Sequence, residues 1–150
     1  MPNTNSYNVV FDLTGTTFPD QIIVAGGHID TWDTGSQTGA NDDGGGFVSV
    51  FQAFKLLKDN NLRPKRTLRF IAWSGEESGS DQDGAAQYAA AHKDELKNHV
   101  AAFESDEGST KLYGFGHSGS GADIVKEVLT KYLSILGAGE YGDEGHSADV

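Results

Sequence analysis

Histidine and carboxylate side chains occur in four short clusters of this sequence, each close to the end of an apolar run or to the start of the next one. The clusters are His28 with Asp30 in GGHID, Asp42 with Asp43 in NDDGGG, Glu76 with Glu77 in SGEES, and Glu104, Asp106 and Glu107 in ESDEG. Carboxylates that converge without a cation raise one another's pKa and disfavour folding. A divalent metal ion is therefore the simplest reason to bring such groups together.

The available side chains restrict the kind of metal site. The chain has no cysteine, so the ligands must be His, Asp and Glu. These ligands suit zinc in a hydrolytic site, and manganese or cobalt is also allowed by ligand type. Two ions about 3.5–4 Å apart that share one bridging carboxylate would account for so many acids.

Spacing within the clusters indicates which side chains could bind metal and which could orient a ligand or transfer a proton. Side chains alternate along an extended segment, so His28 and Asp30 point the same way and Asp30 can hold the imidazole ring. Glu76 and Glu77 are consecutive and point in different directions. One of them can bind metal while the other takes a proton from the attacking water.

A simpler interpretation of NDDGGG is a turn that starts a helix. Asp and Asn are favoured at helix N-termini, and Gly allows a sharp turn. A single histidine after a strand is likewise more often packed or solvated than bound to metal. The coincidence of four clusters favours the metal site over these separate explanations.

Apolar patterns predict the elements that position the clusters. The runs YNVVFDLTG and QIIVAGG, separated by the turn signal Pro19-Asp20, predict a β-hairpin. Further strands are expected at TLRFIAW, HVAAFES and STKLYGFG, and helices at GFVSVFQAFKLLKDNN, GAAQYAAAHKDELKN and GADIVKEVLTKYLSIL. The last helix carries an apolar stripe that we expect in the core, formed by Ile124, Val125, Val128, Leu129, Tyr132 and Leu133.

Alternation of strands and helices predicts one α/β domain over residues 1–150, with a mixed, mostly parallel central sheet between two helical layers. The hairpin would make the sheet mixed. Ligands of open α/β sheets bind beyond the carboxyl ends of the strands. We therefore expect all four clusters at one edge of this sheet.

Charge and hydropathy exclude several functions. The net charge of −11 disfavours binding to nucleic acid, because phosphate neutralisation needs a basic surface. No run is apolar enough to span a bilayer. The first residues, MPNTNSYN, lack the features of a signal peptide.

In order and spacing, GGHIDTWDTG, NDDGGG, LRPKRTLRFIAWSGEE and ESDEG resemble the motifs of the co-catalytic zinc exopeptidases, from about Tyr7 to Val150. The resemblance implies a three-layer α/β/α fold, two zinc ions and small peptide substrates. It leaves open a carboxypeptidase-type dipeptidase and an aminopeptidase, and HIDTWDTG favours the former. It also implies a secreted or lysosomal full-length parent. A homodimer is allowed.

The resemblance implies a role for each site residue. The metal ligands would be His28, Asp42, Glu77 and Asp106, with Asp42 bridging both zinc ions. Glu76 would be the catalytic base, and Asp30 would orient the histidine. Asp43 is not a ligand in the family pattern, so we expect it to serve the turn and the helix start.

One ligand of the family pattern is absent. The family's last zinc ligand, a histidine, lies beyond the segment similar to GDEGHSADV, and the chain stops at Val150. His146 precedes the residues that match the next motif, so we do not expect it to substitute. We therefore expect a fragment truncated at the C-terminal end of the sheet. The alternative to an active enzyme is an inactive fragment that binds a single metal.

Other polar residues have simpler interpretations. GFGHSG fits a dinucleotide-binding pattern, but we expect a loop in which Ser118 or Ser120 caps the next helix. Asp81 or Asp83 should cap the preceding one. His92 and His99 are expected at the surface. We expect Trp32 and Trp73 to pack in the core, and Trp32 could instead line the substrate site.

Overall fold

A computed structural model of the chain describes residues 5–79, 83–106 and 110–143. Asp81, Glu107 and His146, which the sequence singled out, lie outside these ranges. The described residues divide into two compact units, 5–106 and 110–143. The assignment of residues 1–150 to one domain stays a prediction.

The first unit contains a four-stranded sheet. Its strands are β1 (Val9–Leu13), β2 (Phe18–His28), β3 (Arg66–Trp73) and β4 (His99–Glu104), in the order β1-β3-β2-β4. Strand β2 is parallel to both β3 and β4, whereas β1 is antiparallel to β3. The prediction of a mixed, mostly parallel sheet is confirmed.

The predicted hairpin between the first two strands is wrong, because β1 pairs with β3. Strand β2 has β3 on one side and β4 on the other, so it has no edge left for β1. The connection from β1 to β2 passes beside the start of β3, where the backbone N–H groups of Thr16 and Thr17 donate to the carbonyl groups of Pro64 and Lys65 at 3.0 and 3.1 Å. The turn signal Pro19-Asp20 was also misplaced, because both residues lie within β2 and the chain bends earlier, at Thr16 and Thr17.

One helix covers each face of the sheet. Alternate residues of β3 point to opposite faces, so Phe70 packs with Phe54 of α1 (Gly44–Asp59). Ile71 and Trp73 pack on the other face with Tyr88 of α2 (Gly84–Ala91). The first unit therefore has the three layers that the sequence predicted.

Helix α2 is shorter than its sequence pattern predicted. It begins after Asp83, whose carboxylate accepts a hydrogen bond from the N–H of Ala86 at 2.7 Å, and it ends at Ala91. Beyond the helix, Glu95 turns its carboxylate toward Arg69 of β3 at 2.7 Å. This tertiary ion pair replaces the predicted continuation of the helix.

Arg69 is buried at the centre of a network that joins β1, β3 and the end of α2. Its guanidinium donates to both carboxylate oxygens of Asp12, at 2.8 and 2.9 Å, and to the hydroxyl of Tyr88 at 2.8 Å. His92 contacts Glu95 at 2.9 Å, and His99 contacts the Tyr88 hydroxyl at 2.8 Å. The prediction that both histidines are surface residues was wrong, because each is half-buried in this network.

Replacing Arg69 with methionine is expected to lower the free energy of unfolding by about 2–4 kcal/mol, because it leaves the carboxylates of Asp12 and Glu95 without their cation. The hydrogen bond from Arg69 lowers the pKa of Glu95 below its ordinary value of 4.5, so the wild type should lose this contribution as the pH falls below about 4.5. Urea unfolding at two pH values measures both effects.

The matched control is Arg63→Met, since Arg63 is exposed and its guanidinium donates to the carbonyl of Thr14 at 2.9 Å, a single contact among the described residues. We expect this change to cost less than about 1 kcal/mol. Equal losses in the two variants would contradict a structural role for the network.

The second unit is a small β-α-β arrangement. Strands β5 (Gly114–Gly116) and β6 (Glu140–Gly142) are parallel. Between them, α3 (Ala122–Val128) continues as a π-helical turn, Leu129–Leu133, and a 3₁₀ turn, Ser134–Leu136. Within the described ranges, no helix has the length and apolar character needed to cross a membrane.

Two predictions for α3 were wrong. The predicted cap by Ser118 or Ser120 is absent, because Gly121 occupies the N-cap position in a left-handed conformation and has no side chain to accept a hydrogen bond. Of the predicted apolar stripe, only Leu129 is fully buried, whereas Ile124 is 68% exposed. A two-stranded sheet covers only one side of the helix, so the stripe does not lie in a core.

Candidate metal centre

The four polar clusters follow the strands in the way that the sequence predicted. His28 is the last residue of β2, Glu76 begins a 3₁₀ turn three residues after β3, and Asp106 lies two residues after β4. Because β2, β3 and β4 are parallel, their carboxyl ends share one edge of the sheet. Asp42 reaches the same edge just before α1.

His28 is the centre of this cluster and is only 1% exposed. Its Nε2 atom lies 3.0 Å from Oδ1 of Asp42 and 3.4 Å from Oδ1 of Asp106. Oε2 of Glu76 is 3.9 Å away. Three carboxylates from three different segments therefore surround one imidazole nitrogen.

The other ring nitrogen of His28 determines which atom can bind a metal. Nδ1 lies 3.0 Å from the backbone carbonyl of Asp30, and a carbonyl can only accept, so Nδ1 carries a proton. A neutral His28 therefore has its lone pair on Nε2, which faces the carboxylates. This is the arrangement that a metal-binding histidine requires.

The contact between Asp30 and His28 differs in detail from the sequence prediction. Its backbone carbonyl, and not its carboxylate, holds the His28 ring, because the nearest carboxylate oxygen is 3.8 Å from Nδ1. The carboxylate instead accepts three backbone hydrogen bonds, from Gly75 at 2.8 Å, Glu76 at 3.3 Å and Glu77 at 3.2 Å. Asp30 thus fixes both the histidine and the turn that carries the two glutamates.

The charges of the cluster alter the pKa of His28. Burial alone would lower this pKa, but the hydrogen bond with Asp42 and the charges of Glu76, Asp106 and Asp43 raise it to about 9. Without a metal, His28 is therefore protonated at neutral pH and balances part of the negative charge. A metal ion has to displace this proton.

The two glutamates are half-buried, and their pKa values are raised. Burial is the main cause that raises the pKa of Glu76, partly opposed by the positive charge of His28. Burial and the charge of Asp42 raise the pKa of Glu77. Among the described residues, the buried Oε1 atom of Glu77 has no hydrogen-bond partner, which fits a site that holds a further group.

The donor set fits a divalent metal such as zinc. Ligand atoms on a tetrahedral zinc, at bond lengths of about 2.0–2.1 Å, lie about 3.3 Å from one another. The distances of 3.0 and 3.4 Å from His28 Nε2 to Asp42 and Asp106 fall near this value. Among the described residues, ligand atoms within 4.8 Å of one another form two sets, His28 with Asp42 and Asp106, and His28 with Glu76 and Glu77.

Asp43 has a role that the sequence revealed only in part. It precedes α1 and accepts a hydrogen bond from the N–H of Gly46 at 3.1 Å, as expected of a residue at a helix start. The structure adds that Asp43 is completely buried and follows Asp42 through a cis peptide bond. Burial and the charge of Asp106 raise its pKa to about 7. The glycines on both sides of the clusters are the only sequence signal of this close packing.

The two tryptophans differ. Trp73 is buried against Tyr88, as predicted for a core residue. Trp32 is 55% exposed in the loop between His28 and Asp42, so its predicted place in the core was wrong. Its role as a substrate-lining residue stays a prediction.

Exchanging Asp30 for asparagine is expected to weaken zinc binding by about 10- to 100-fold, because an amide cannot accept all three backbone hydrogen bonds that fix the glutamate turn. Competition with a chromophoric chelator measures this affinity. The exposed Asp33, in the same loop, provides the control Asp33→Asn. An unchanged affinity in Asp30→Asn would exclude the role assigned to its carboxylate.

Comparison with known proteins agrees with this geometry. The profile of peptidase family M28 matches residues 8–145. Carboxypeptidase Q of Pongo abelii is 39% identical over 150 residues, which are 99% of this chain and 31% of that protein. The chain thus spans about a third of the length of the curated relatives it matches.

Solved structures give the same result. The crystal structure of a peptidase M28 precursor from Shewanella amazonensis superposes with a TM-score of 0.85 at 34% identity, over 98% of this chain and 33% of that one. A zinc aminopeptidase from Bacillus subtilis superposes with a TM-score of 0.74 at 23% identity, over 95% of this chain and 35% of that one, and shares the fold. The chain belongs to peptidase family M28.

Proposed function

We propose that this chain is the metal-binding part of a zinc-dependent exopeptidase that hydrolyses small peptides, with dipeptides as the first candidate substrates. The observation that carries this proposal is the position of His28 Nε2, within 3.4 Å of carboxylate oxygens from Asp42 and Asp106 at the ligand-binding edge of the sheet. Similarity to proteins named carboxypeptidase Q supports a peptidase that acts at a chain end. The predictions of a homodimer and of a secreted or lysosomal parent stay untested.

In this proposal the carboxylates and the histidine divide into two ligand groups. His28, Asp42 and Asp106 would hold one zinc ion. Asp42 and Glu77 would contribute to a second. When bound, zinc polarises the scissile carbonyl and makes water a better nucleophile at neutral pH. The unpartnered Oε1 of Glu77 is consistent with its role as a ligand.

Glu76 is the proposed general base. Its carboxylate lies 3.9 Å from His28 Nε2, close to the metal-binding atoms but farther than those of Asp42 and Asp106. From this position it can accept a proton from the attacking water and return it to the leaving amine. The hydrogen bonds from the Glu76 and Glu77 backbone to Asp30 would keep this carboxylate in place during both transfers.

A second candidate is an inactive fragment that binds a single metal. Three of the described residues form the set for one ion, His28, Asp42 and Asp106. The proposal assigns only Asp42 and Glu77 to the second ion. An aminopeptidase of the same family is a third candidate, because the site residues do not distinguish which end of the substrate is recognised.

A panel of related substrates tests these candidates. The chain is first stripped of metal with a chelator and then reloaded with zinc. A carboxypeptidase-type dipeptidase should hydrolyse a free dipeptide and reject both its amide and its N-acetyl derivative. Hydrolysis of the amide would favour the aminopeptidase. Bound zinc without hydrolysis would favour the single-metal fragment, and neither zinc nor hydrolysis would contradict the proposed function.

A further inference from the structure

The first turn of α1 lies against the chain neighbours of the proposed metal ligands. A Cβ atom on Gly46 would overlap the carbonyl oxygen of Ser105, the residue before Asp106. A Cβ atom on Gly27, the residue before His28, would overlap the carboxylate of Asp43 and approach the backbone of Phe47. The start of the helix therefore packs closely against the ends of both β2 and β4, at Gly27 and Gly46, where there is no room for a Cβ atom.

Asp43 connects these contacts. Its Oδ1 accepts from the N–H of Gly46 at 3.1 Å, and its Oδ2 lies over Gly27. Its backbone carbonyl accepts from the N–H of Phe47 at 3.0 Å. Since Asp43 also follows Asp42 directly, one buried carboxylate joins the neighbours of two proposed ligands.

Helix capping alone does not explain the burial of Asp43. Asp83 caps α2 with the same kind of hydrogen bond, to Ala86 at 2.7 Å, and it is only half-buried. Asp43 is completely buried, and the backbone N–H of His28 also interacts with its carboxylate, which partly opposes the rise in pKa caused by burial. Burying a carboxylate in this way costs free energy, so its position must serve more than the helix.

We propose that the first turn of α1, residues 43–46, is the positioning element of the metal centre. Asp43 fixes the position of Gly27 relative to Asp42, and Gly46 fixes the position of Ser105. As a result, His28, Asp42 and Asp106 lie at bonding distances for one metal ion. The inference rests on the proposed function, because it assumes that these three residues bind the metal. It assigns Asp43 as a positioning residue, not a ligand.

Asp43→Asn tests the carboxylate. Asparagine caps helices about as well as aspartate, so a purely structural cap would tolerate the change. In the proposed role, the amide nitrogen that replaces one carboxylate oxygen disturbs the packing over Gly27, and we expect zinc affinity to fall by about 10- to 100-fold. Asp83→Asn is the matched control, with an expected change of less than about twofold.

Gly46→Ala tests the backbone contact with Ser105. The added methyl group should displace Asp106 from His28, lower zinc affinity and alter the visible absorption of the cobalt-loaded chain. Gly15→Ala is its matched control, because a Cβ there also overlaps backbone, at Lys65 and Arg66, but at the opposite edge of the sheet. We expect this control to lower stability without changing the cobalt spectrum.

Affinity, cobalt spectrum and urea stability are measured on the same four variants. Lower affinity or an altered spectrum in folded Asp43→Asn, with both unchanged in Asp83→Asn, supports the inference even if Gly46→Ala fails to fold. If the wild type binds zinc and Asp43→Asn has the same zinc affinity and cobalt spectrum as the wild type, the inference is overturned but the proposed function is not. A wild type that binds neither zinc nor cobalt would overturn the proposed function together with the inference.

Discussion

Replacing Glu76 with glutamine is expected to lower kcat for dipeptide hydrolysis by about 10²- to 10⁴-fold, the range typical of a lost general base. Glutamine has nearly the same size as glutamate but cannot accept the proton from water. The backbone hydrogen bonds to Asp30 remain, so the turn and its second glutamate should stay in place. Steady-state kinetics at saturating zinc measures this loss.

The neighbouring Glu77→Gln variant separates proton transfer from metal binding. Glu77 is the proposed ligand, so this change should weaken zinc binding, whereas Glu76→Gln should leave zinc affinity within about threefold of the wild type. If Glu76→Gln kept normal kcat, or if the two variants exchanged their effects, the assignment of base and ligand would be wrong.

Replacing His28 with alanine is expected to weaken zinc binding by about 100-fold or more. Structural zinc sites bind with about 10–16 kcal/mol through four ligands, so the loss of one costs on the order of 3 kcal/mol. His28 is the only histidine in the cluster of described residues, and its Nε2 faces two of the proposed carboxylate ligands. Competition titration with a chromophoric chelator measures the change.

His117→Ala is the matched control for this experiment. His117 lies in the second unit, and its Nε2 bonds to the carbonyl of Ser120 at 3.1 Å. Its removal should leave zinc affinity unchanged. Retention of wild-type affinity in His28→Ala would exclude His28 as a ligand.

The site was accessible from the sequence because it depends on a regular feature of the fold. Strands β2, β3 and β4 are parallel, so residues that follow their carboxyl ends meet at one edge wherever the strands begin. His28, Glu76 and Asp106 could therefore be brought together from strand boundaries alone. Their spacing in the chain, together with the family resemblance, provided the roles that remain to be tested.

The errors arise where long-range contacts decide the structure. The partner of β1 depends on which edge of the sheet is free, and a local turn signal contains no information about that. The early end of α2 and the burial of His92 and His99 depend on Arg69, more than 20 residues away in sequence. An apolar stripe predicts a helix face but not what covers it, as Ile124 illustrates.

Finer details of the site were also inaccessible from spacing. Alternation along an extended segment placed Asp30 beside His28, but it could not distinguish the backbone carbonyl from the carboxylate as the acceptor. For Asp43, the sequence predicted a helix start and gave no indication of complete burial. Asp30 holds His28 through its backbone carbonyl, and Asp43 packs over the backbone of Gly27. Side-chain patterns do not reveal contacts with main-chain groups.

The metal content of the purified chain tests the central claim most directly. After dialysis against zinc and removal of the excess, mass spectrometry of the wild type should detect at least one zinc ion per chain. Two ions would indicate a complete co-catalytic pair, and one would favour the single-metal fragment. Asp42→Asn, which lacks a charged ligand next to His28, should lose bound zinc. A wild type without zinc, or an Asp42→Asn variant with full zinc content, would contradict the account.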